Sequence, residues 1–449
     1  MLQETLSVAV VVGTRPEIIK LSSVIKVLRK QRRFKVHFIH TGQHYDWNMS
    51  RVFLDEFDLV EPEIFLGVGS GNPPQQVART ITTLDDALSG KKVGGLIVLG
   101  DTNSAMAAAL TASKLRIPLA HVEAGCRSFD LTMQEELNRR LISQCAALNF
   151  TPTENCNLNL VREGFADSRI IFTGHPILEV VKGVQKRIRA NRTCTRLGVE
   201  PDHYIFATLH REENVDNRER LRSLVTSLAK VDSRIVFPIH PRTRRRLREF
   251  KLERFIHERN FITTPPMPYV DTLGLIKNAA CVITDSGGVQ QEAMMLGTPT
   301  LTARRTTEWI ETVLMGANIL VGTSRRRIVQ NSKHILRDVS KLKRKLKTLR
   351  NPFGDGRATD RIARAVEVAF SAWSARKSEG TAYPWLPVPA LAKSVELVSI
   401  RKVMQLPPYV YMVFDVNNRP RIVRAKKGVT PTIGVYGPLP LLRRFKPLL

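Results

Sequence analysis

The stretch AACVITDSGGVQQEAMMLGTP, residues 279–299, sets the fold prediction for this chain. It opens with a short apolar run at 279–283, which has the length and the β-branched content of a buried strand. Polar residues and two glycines at 284–288 interrupt the run. Apolar side chains then recur at helical spacing over 289–296, and Gly297 supplies a stop. The stretch therefore predicts a strand, a glycine turn and a helix.

Such a turn is suited to binding phosphate, because a helix N-terminus presents unpaired N–H groups and a partial positive charge. Gly287 and Gly288 remove the Cβ atoms that would keep a diphosphate away. Ser286 adds a hydroxyl donor, and Glu292 could face a ribose hydroxyl pair. The same residues are equally compatible with an ordinary turn whose glycines only provide a positive φ.

Length and composition indicate a globular protein of several domains. At roughly 150 residues per domain, the 449 residues predict two or three domains. No apolar run reaches the roughly 18 residues that span a bilayer, and the N-terminus lacks the basic region and the cleavage site of a signal peptide. We therefore expect a soluble, cytoplasmic protein.

The charge balance predicts an anionic partner. The formal net charge is +28 and the pI is near 10.4, which favours nucleotide sugars, nucleic acid or an anionic membrane surface. The five cysteines show no CxxC or CxxH spacing. Their spacing and odd number argue against a disulfide framework or a zinc site and are consistent with a reducing compartment.

A second strand–loop–helix unit begins the chain. Residues 6–12 are a nearly continuous apolar run, and Gly-Thr-Arg-Pro-Glu follows at 13–17. Arg15 in this loop could hold a phosphate through two hydrogen bonds, although a surface arginine would look the same.

Three more strands are predicted at 36–40, 93–99 and 118–122, each followed by a polar loop. Strands that alternate with helices indicate a parallel, doubly wound sheet, in which ligands bind at the carboxyl ends of the strands. Asp101 and Glu123 follow two consecutive strands of this set. We therefore expect both carboxylates to reach one ligand.

A charged helix follows, with Glu135, Glu136, Arg139 and Arg140. A carboxylate cluster facing a cleft suits acid–base chemistry, because neighbouring charges and partial burial separate the pKa values. A solvated helix face with i, i+4 ion pairs explains the same spacing. For Glu136 and Arg140 we prefer the solvated face.

The second half repeats the strand pattern. Strands are predicted at 146–151, 170–173, 204–209 and 235–239, and Gly-His-Pro at 174–176 is expected to cross into a second domain. The last two strands end in His210 and His240. Two histidines at equivalent sheet edges, beside the glycine turn, favour a site lining over isolated structural histidines.

Basic and proline-rich segments close the chain. Residues 332–350 predict a strongly basic helix with a buried stripe of Ile335, Val339 and Leu342, and 361–375 predict the last helix of the second domain. No nucleic-acid recognition module accompanies the basic helix, so we expect a solvated face and no specific nucleic-acid binding.

Residues 376–449 form an extension of different composition. It carries thirteen Lys and Arg against three Asp and Glu, with strands predicted at 409–414 and 421–423. Peripheral contact with an anionic membrane through this basic tail is one expected role.

Ten short motifs in this order resemble the non-hydrolysing UDP-N-acetylglucosamine 2-epimerases over roughly residues 6–375. They are GTRPEIIK (13–20), TGQHYD (41–46), GDTNS (100–104), HVEAG (121–125), RSFD (127–130), EELNR (135–139), HREEN (210–214), HPRT (240–243), TDSGG (284–288) and NPFGDG (351–356). The resemblance implies an α/β fold of two Rossmann-like, doubly wound domains with glycosyltransferase-B-like architecture. We expect the first domain at 1–174, the second at 175–375 with its last helix packed back on the first domain, and the basic extension at 376–449.

The resemblance also implies the site residues and the chemistry. The family's catalytic set falls on Asp101, Glu123, Glu135 and His210. Its substrate-binding set falls on Arg15, Lys20, Arg139, His210, Ser286, Gly287, Gly288 and Glu292. The implied reaction interconverts UDP-N-acetylglucosamine and UDP-N-acetylmannosamine at C2, through elimination and re-addition of UDP and an enzyme-bound 2-acetamidoglucal. It needs no metal and no cofactor, and a homodimer and a role in polysaccharide biosynthesis are expected.

Three alternatives to this activity remain open at this point. The first is epimerisation of a more decorated UDP-sugar, and the second is hydrolysis to the free sugar with release of UDP. The third is an anion-binding protein of weak activity that docks through its basic tail. The retained carboxylates argue against the third.

Several residues depart from the family pattern. Family members usually have proline where this chain has Gln134 and Ile310, and they often read Thr-Asp-His at 142–144. Bacterial members bind a second substrate molecule as an activator near a Gln-His pair, which Gln43 and His44 match. His240 is a further candidate for that site, whereas Asp46 replaces a glutamine.

Overall fold

Two parallel sheets organise the chain. The computed structural model describes residues 5–43, 54–69 and 71–378, and the backbone of 410–414, 420–425 and 445–447. We call the first sheet with its helices the N-terminal domain and the second sheet with its helices the C-terminal domain.

The N-terminal domain has seven described strands in the order β3-β2-β1-β4-β5-β6-β7, and each described pairing is parallel. The strands are β1 (Leu6–Val12), β2 (Phe34–His40), β3 (Ile64–Phe65), β4 (Gly95–Leu99), β5 (Leu119–Val122), β6 (Leu148–Thr151) and β7 (Ile170–Phe172). The helices are α1 (Arg15–Lys30), α2 (Pro73–Leu88), α3 (Asn103–Lys114), α4 (Gln134–Cys145) and α5 (Glu154–Arg162).

The C-terminal domain has six described strands in the order β10-β9-β8-β11-β12-β13, again with parallel pairing. The strands are β8 (Tyr204–Thr208), β9 (Arg234–Pro238), β10 (Phe261–Thr264), β11 (Cys281–Thr284), β12 (Thr300–Thr302) and β13 (Asn318–Leu320). The helices from the crossing onward are α6 (Ile177–Gly183), α7 (Gln185–Ala190), α8 (Thr193–Arg196), α9 (Glu212–Val215), α10 (Arg218–Ala229), α11 (Pro241–Glu249), α12 (Tyr269–Asn278), α13 (Gly287–Leu296), α14 (Ile310–Leu314), α15 (Arg325–Arg337), α16 (Val339–Thr348) and α17 (Ala358–Ser378).

The strands are apolar because helices cover both faces of each sheet. Val8 to Val12 of β1 and all of β4, β5 and β11 are buried. Every strand predicted for residues 1–375 is present, with ends that differ by at most two residues. Helix α13 ends at Gly297 with a φ of +73°, a conformation that costs glycine little.

The strand order of each sheet indicates where a ligand would bind. In each sheet the order reverses between the first and the fourth strand, and ligands bind outside the carboxyl ends at such a switch point. In the N-terminal domain this point lies between β1 and β4, and in the C-terminal domain it lies between β8 and β11. Residues 13–17 and 100–104 therefore share one edge, and residues 210–214 and 285–288 share the other.

Helix α17 carries the chain from the C-terminal domain back onto the N-terminal domain. The hydroxyl groups of Thr359 and Ser23 are 3.0 Å apart. A Cβ atom added at Gly95 would lie 1.9 Å from the ring of Phe370, so the helix packs directly on β4. The chain thus crosses between the domains twice, near 173–176 and near 351–357.

The predicted basic helix at 332–350 is wrong in one respect. Two helices, α15 and α16, meet at Asp338, whose φ of −130° is not helical. Ile335 and Val339 are buried as predicted, but Leu342 is only half-buried and Leu346 is the buried residue of the last turn. The break rotates α16, so one stripe cannot continue through both helices.

The extension contains three described strands, β14 (Val410–Phe414), β15 (Pro420–Ala425) and β16 (Phe445–Pro447), paired antiparallel. The first two agree with the prediction for this region. In the described part of the chain, no helix combines the length and apolar character needed to cross a bilayer.

We expect Glu311→Gln to stabilise the protein at pH 8 but not at pH 5. Glu311 of α14 is buried against Thr153 and Glu154 at the start of α5, and burial raises its pKa from 4.5 to about 7. Between those values the folded carboxyl keeps a proton that the unfolded chain has lost, so stability falls as the pH rises. At pH 8 the substitution should raise the free energy of unfolding by on the order of 1–3 kcal/mol.

Thermal unfolding at the two pH values measures this effect. Glu258→Gln, at an exposed position, is the matched control and should change little at either pH. An equal shift for Glu311→Gln at pH 5 and pH 8 would contradict the assignment of the effect to the buried charge.

Candidate functional site

Glu123 directly follows β5 and is held from two sides. Its Oε2 atom lies 2.6 Å from Lys20 Nζ of α1 and 2.9 Å from His175 Nε2 of the domain crossing. Its φ is +68°, which is uncommon for a residue with a side chain and is often found at functional sites. Burial alone would raise the pKa of Glu123, but Lys20 and His175 outweigh burial and lower that pKa to about 2. Glu123 is therefore ionised.

Asp101 lies in the turn that follows β4 and forms a salt bridge with Arg139 of α4. Burial raises the pKa of Asp101 above its ordinary value, although the Arg139 guanidinium opposes the rise. Lys20 feels the charges of both Asp101 and Glu123. Two carboxyl groups with pKa values shifted in opposite directions thus share one lysine, which is the arrangement that assigns different proton-transfer tasks to similar groups.

Glu136 corrects the solvated-face prediction for α4. The residue is fully buried, and its carboxylate accepts hydrogen bonds from the Ser128 N–H at 2.8 Å and from Arg139 at 3.2 Å. Arg140 is half-buried and lies 3.5 Å from Glu136, so the predicted i, i+4 pair is present. Glu136 anchors the loop before α4 and positions Arg139.

Glu135 joins the two domains. Its Oε1 atom lies 2.6 Å from Arg211 Nη1, which follows β8 in the C-terminal domain. Arg211 also lies 3.8 Å from Glu308, and Arg139 of the N-terminal domain lies 3.9 Å from the same Glu308 oxygen. Carboxylates and guanidinium groups of both domains therefore alternate across the interdomain gap.

Glu308 follows β12 and is the most strongly charge-stabilised group of this network. Arg304 donates a hydrogen bond of 2.8 Å to it. Burial by itself would raise the pKa of Glu308, but Arg304, Arg139 and Arg211 together hold it well below its usual range. Glu308 is thus a fixed negative charge between the domains.

Asp285 organises the loop that carries His210. The buried Asp285 carboxylate accepts hydrogen bonds from the His210 N–H at 3.0 Å, the Arg211 N–H at 3.1 Å and the Asn214 side chain at 3.0 Å. Burial lowers the pKa of His210, Asp285 opposes this, and Arg211 adds to the lowering. The imidazole is therefore favoured in its neutral form at the edge of the cleft.

Ser286, Gly287 and Gly288 form the N-terminus of α13. The Ser286 hydroxyl oxygen caps the helix by accepting from the Val289 N–H at 3.4 Å. A Cβ atom at Gly287 would lie 2.2 Å from Glu308 Oε1, so any side chain there would displace the Glu308 carboxylate. A Cβ atom at Gly288 would lie 3.9 Å from its nearest neighbour, the Ser286 hydroxyl, so the protein itself leaves that position open.

We expect Gly288→Ala to weaken UDP binding by about tenfold or more without lowering the melting temperature. The free protein has room for the methyl group, but a diphosphate bound at the helix N-terminus would not. Calorimetric titration with UDP and thermal unfolding measure the two effects. Gly183→Ala, in open space on α6, is the control, and unchanged UDP affinity in Gly288→Ala would place the diphosphate elsewhere.

Arg15 and Glu292 interact electrostatically across the two domains. Arg15 begins α1 and is solvent-accessible, and Glu292 is buried on α13. The protein around the guanidinium reduces its hydration even though the side chain reaches solvent, and this lowers the pKa of Arg15, whereas Glu292 and Tyr269 oppose the shift. Burial raises the pKa of Glu292 to about 7. A cation from the N-terminal domain thus acts electrostatically on the acidic residue predicted to contact the ribose.

Of the three residues predicted for an allosteric site, Gln43 and His240 are described, and they lie in different domains. Gln43 Oε1 accepts from the Ser104 hydroxyl at 2.7 Å, next to the β1–β4 switch point. His240 caps α11 in the C-terminal domain, and its ring centroid is 5.6 Å from that of His210. His44 lies outside the described residues, as does Asp46.

The titratable residues of the predicted catalytic and substrate-binding sets interact electrostatically with one another. Asp101 interacts electrostatically with Glu123, Glu135, Arg139 and Arg211. His210 interacts with Arg15 and Arg211, and Glu292 with Lys20 and Arg15. Within the described residues, no group of three or more His, Cys, Asp or Glu is arranged to hold a metal ion.

Comparison with known proteins decides the family. Residues 26–367 match the sequence model of UDP-N-acetylglucosamine 2-epimerase. The chain belongs to the UDP-N-acetylglucosamine 2-epimerase family of enzymes. The predicted family and the predicted α/β fold of two Rossmann-like domains are thereby confirmed.

Relatives match this epimerase-family chain over nearly their whole length. The UDP-N-acetylglucosamine 2-epimerase of Methanocaldococcus jannaschii is 41% identical over 367 residues, covering 80% of this chain and 98% of the relative. A crystal structure of that archaeal epimerase in complex with UDP-GlcNAc and UDP has a TM-score of 0.76 at 40% identity, covering 81% of this chain and 99% of the other. The UDP-2,3-diacetamido-2,3-dideoxy-D-glucuronate 2-epimerase of Pseudomonas aeruginosa is 36% identical, covering 80% and 98%.

Sequence reasoning gave no role to several residues of this epimerase-family site. Arg304 and Glu308 have i, i+4 spacing, and Arg211 stands inside the HREEN motif. His175 was noted only as part of the domain crossing. The position of this histidine between Gly174 and Pro176, at the crossing between the domains, is the sequence feature that could have indicated a role in the site.

Glu17 is a further residue that the motifs contained without a role. Its carboxylate accepts from the Thr14 N–H at 2.7 Å and from the Thr102 hydroxyl at 2.8 Å. Burial raises the pKa of Glu17 to about 7, although these hydrogen bonds oppose the rise. Glu17 therefore ties the loop that carries Arg15 to the loop that carries Asp101.

Proposed function

We propose that this protein interconverts UDP-N-acetylglucosamine and UDP-N-acetylmannosamine at C2. The observation that carries the proposal is the convergence of Asp101 and Glu123, with pKa values shifted in opposite directions, on Lys20. The M. jannaschii relative, named as a UDP-N-acetylglucosamine 2-epimerase, supports the choice of sugar.

The diphosphate would bind at the N-terminus of α13. The helix dipole and Arg15 from the other domain would stabilise its negative charge, and the neutral His210 would donate a hydrogen bond to it. In this proposal residues 1–174 supply the carboxylates and residues 175–375 supply the UDP site. Glu135 and Arg211, 2.6 Å apart, hold the two sets at a fixed separation.

The chemistry needs one proton acceptor and one proton donor. A carboxylate removes the C2 proton while the bond from C1 to the UDP oxygen breaks, which leaves a C1–C2 double bond and bound UDP. This intermediate is 2-acetamidoglucal. UDP then adds back to C1, and a carboxyl group returns a proton to the opposite face of C2. Asp101, Glu123 and Glu135 are the groups we assign to these transfers.

Incubation with UDP-N-acetylglucosamine in deuterated water tests the proposal. We expect UDP-N-acetylmannosamine that carries deuterium at C2, and deuterium in the recovered substrate, because every turnover exchanges that proton. Absence of both epimer and exchange, in protein that still binds UDP, would refute the proposal. Free UDP released in step with free sugar would instead indicate hydrolysis.

A second candidate substrate follows from the Pseudomonas relative. That protein is named for UDP-2,3-diacetamido-2,3-dideoxy-D-glucuronate and covers the same share of this chain as the archaeal relative. The deuterium assay with both sugars distinguishes the candidates. A kcat/KM at least tenfold higher for the diacetamido uronate would assign this chain to that reaction.

We also propose a homodimer formed through α4. The usual arrangement of polar and apolar faces is reversed in this helix, because Glu136 and Arg139 are buried toward the site. Leu137 is 53% exposed and Leu141 is 38% exposed, and Leu131 in the preceding loop is 67% exposed. Apolar side chains on an outer helix face are typical of a protein interface. Leu137→Glu with Leu141→Glu should convert a dimer into a monomer in light scattering, and a wild-type monomer would contradict the proposal.

Membrane contact through the basic tail stays a prediction, because its side chains lie outside the described residues. Salt-sensitive binding to anionic vesicles, lost on deletion of residues 379–449, is the expected result. Equal binding by the shortened chain would refute a role for the tail.

A further inference from the structure

Both domain crossings meet at His175. Its backbone N–H donates to the Phe353 carbonyl at 2.9 Å, so the outgoing crossing is bonded to the returning one. A Cβ atom at the neighbouring Gly174 would lie 2.9 Å from that same carbonyl, which shows how closely the two segments approach. The imidazole is fully buried, with its centroid 5.9 Å from Trp309 and 6.2 Å from Phe353. The ring is thus fixed by residues that lie between the domains.

The hydrogen bonds of His175 determine its tautomer. Nδ1 accepts from the Ile177 N–H at 3.1 Å, so in the neutral ring the proton is on Nε2. Nε2 then donates to Glu123 Oε2 at 2.9 Å. Lys20 contacts the same oxygen, so Oε2 is held by two donors from different elements.

We propose that His175 is a positioning residue that sets the orientation and the ionisation of Glu123 according to the geometry of the domain crossing. The inference rests on the proposed function, because it concerns the same proton transfer. When the two crossings are in the observed contact, His175 presents Nε2–H to Glu123. If the two crossings separated, Glu123 Oε2 would lose the His175 donor and keep only the contact with Lys20.

Within the described residues, titratable groups on several elements act on Glu123 or interact with it electrostatically. They are Lys20 from α1, Asp101 after β4, His121 on β5, Cys126 in the loop after β5, and His175 from the crossing. Burial lowers the pKa of both histidines, so both are neutral near pH 7. In the described part of the chain, the Glu123 carboxylate accepts hydrogen bonds from Lys20 and His175. Removal of His175 is therefore expected to raise the pKa of Glu123, because the ionised form loses a donor.

The test compares His175→Phe, His175→Gln and Trp309→Phe in the full-length chain. Phenylalanine keeps the ring without the donor, glutamine restores an N–H donor near the Nε2 position, and Trp309→Phe disturbs the same packing without touching the hydrogen bond. The first readout is the titration of the Glu123 carboxyl in ¹³C-glutamate-labelled protein, assigned by its disappearance in Glu123→Gln. The second is the separate measurement of kcat and KM for C2 deuterium exchange.

We expect His175→Phe to raise the Glu123 titration midpoint by at least about one pH unit and to lower kcat by about tenfold or more, with little change in KM. His175→Gln should recover most of both values, and Trp309→Phe should leave the midpoint unchanged. An unchanged midpoint in His175→Phe, or an equal shift in Trp309→Phe, would overturn the inference. If His175→Phe does not fold, the Glu123 titration midpoints of His175→Gln and Trp309→Phe are compared instead. A shift in Trp309→Phe as large as that in His175→Gln would then overturn the inference. A wild-type protein that does not epimerise refutes the proposed function alone, because the titration still tests the hydrogen bond.

Discussion

Glu123→Gln is expected to lower kcat for C2 epimerisation by about 10²–10⁴-fold, the usual contribution of a general acid or base. Lys20 and His175 lower the pKa of Glu123 to about 2, so at neutral pH the group is a carboxylate that can accept a proton or orient one. The amide of glutamine has nearly the same shape but cannot carry out the transfer. We expect KM to change by much less than kcat.

Epimer formation and deuterium incorporation at C2 measure this effect, and calorimetry with UDP shows whether the site is intact. Asp101→Asn should have an effect of the same order. Glu219→Gln, at an exposed position on α10, is the control and should retain wild-type kcat. Retained turnover in both Glu123→Gln and Asp101→Asn would require a different assignment of the proton-transfer groups.

Arg139→Met is the second substitution with a large expected effect, on stability as well as on turnover. The guanidinium is buried and lies among three carboxylates: Asp101, Glu136 at 3.2 Å and Glu308 at 3.9 Å. Its removal leaves buried negative charge without its partner, which costs about 3–5 kcal/mol when one member of a buried ion pair is deleted. Turnover should also fall, because Asp101 loses the side chain that orients it.

Urea unfolding compares Arg139→Met with Arg140→Met, one residue further along the same helix. Arg140 is half-buried and lies 3.5 Å from Glu136. A partly exposed pair of this kind is worth about 0–1 kcal/mol. Similar losses of unfolding free energy in the two variants would show that the buried carboxylates do not depend on Arg139.

The residues at the strand ends were accessible from the sequence. A parallel sheet places its carboxyl ends on one edge, so Asp101 and Glu123 could be assigned to that edge of the first sheet, and His210 to that edge of the second, without coordinates. The glycine turn at 284–288 could likewise be placed at a helix N-terminus. These features depend on local periodicity and on a general property of parallel sheets, and both are encoded in short stretches of chain.

Helix α4 shows where local periodicity fails. Its spacing suggested Glu136 and Arg140 on a solvated face, yet Glu136 is fully buried and Leu137 is exposed. Periodicity assumes that apolar residues face inward, but a helix that lines a charged site buries its polar face instead. The basic segment at 332–350 failed differently, because a non-helical residue at Asp338 broke a continuous pattern.

By itself the sequence determined the two-sheet α/β architecture, the order of the strands along the chain, and the polar residues that follow each strand. Only the tertiary structure decided that Arg211 pairs with Glu135, that Arg139 and Arg304 share Glu308, and that His175 holds Glu123. The physical reason is the distance along the chain over which each feature is determined. Secondary structure follows from side chains a few residues apart, whereas charge pairs and pKa shifts depend on which groups two separately folded domains bring within a few ångströms of each other.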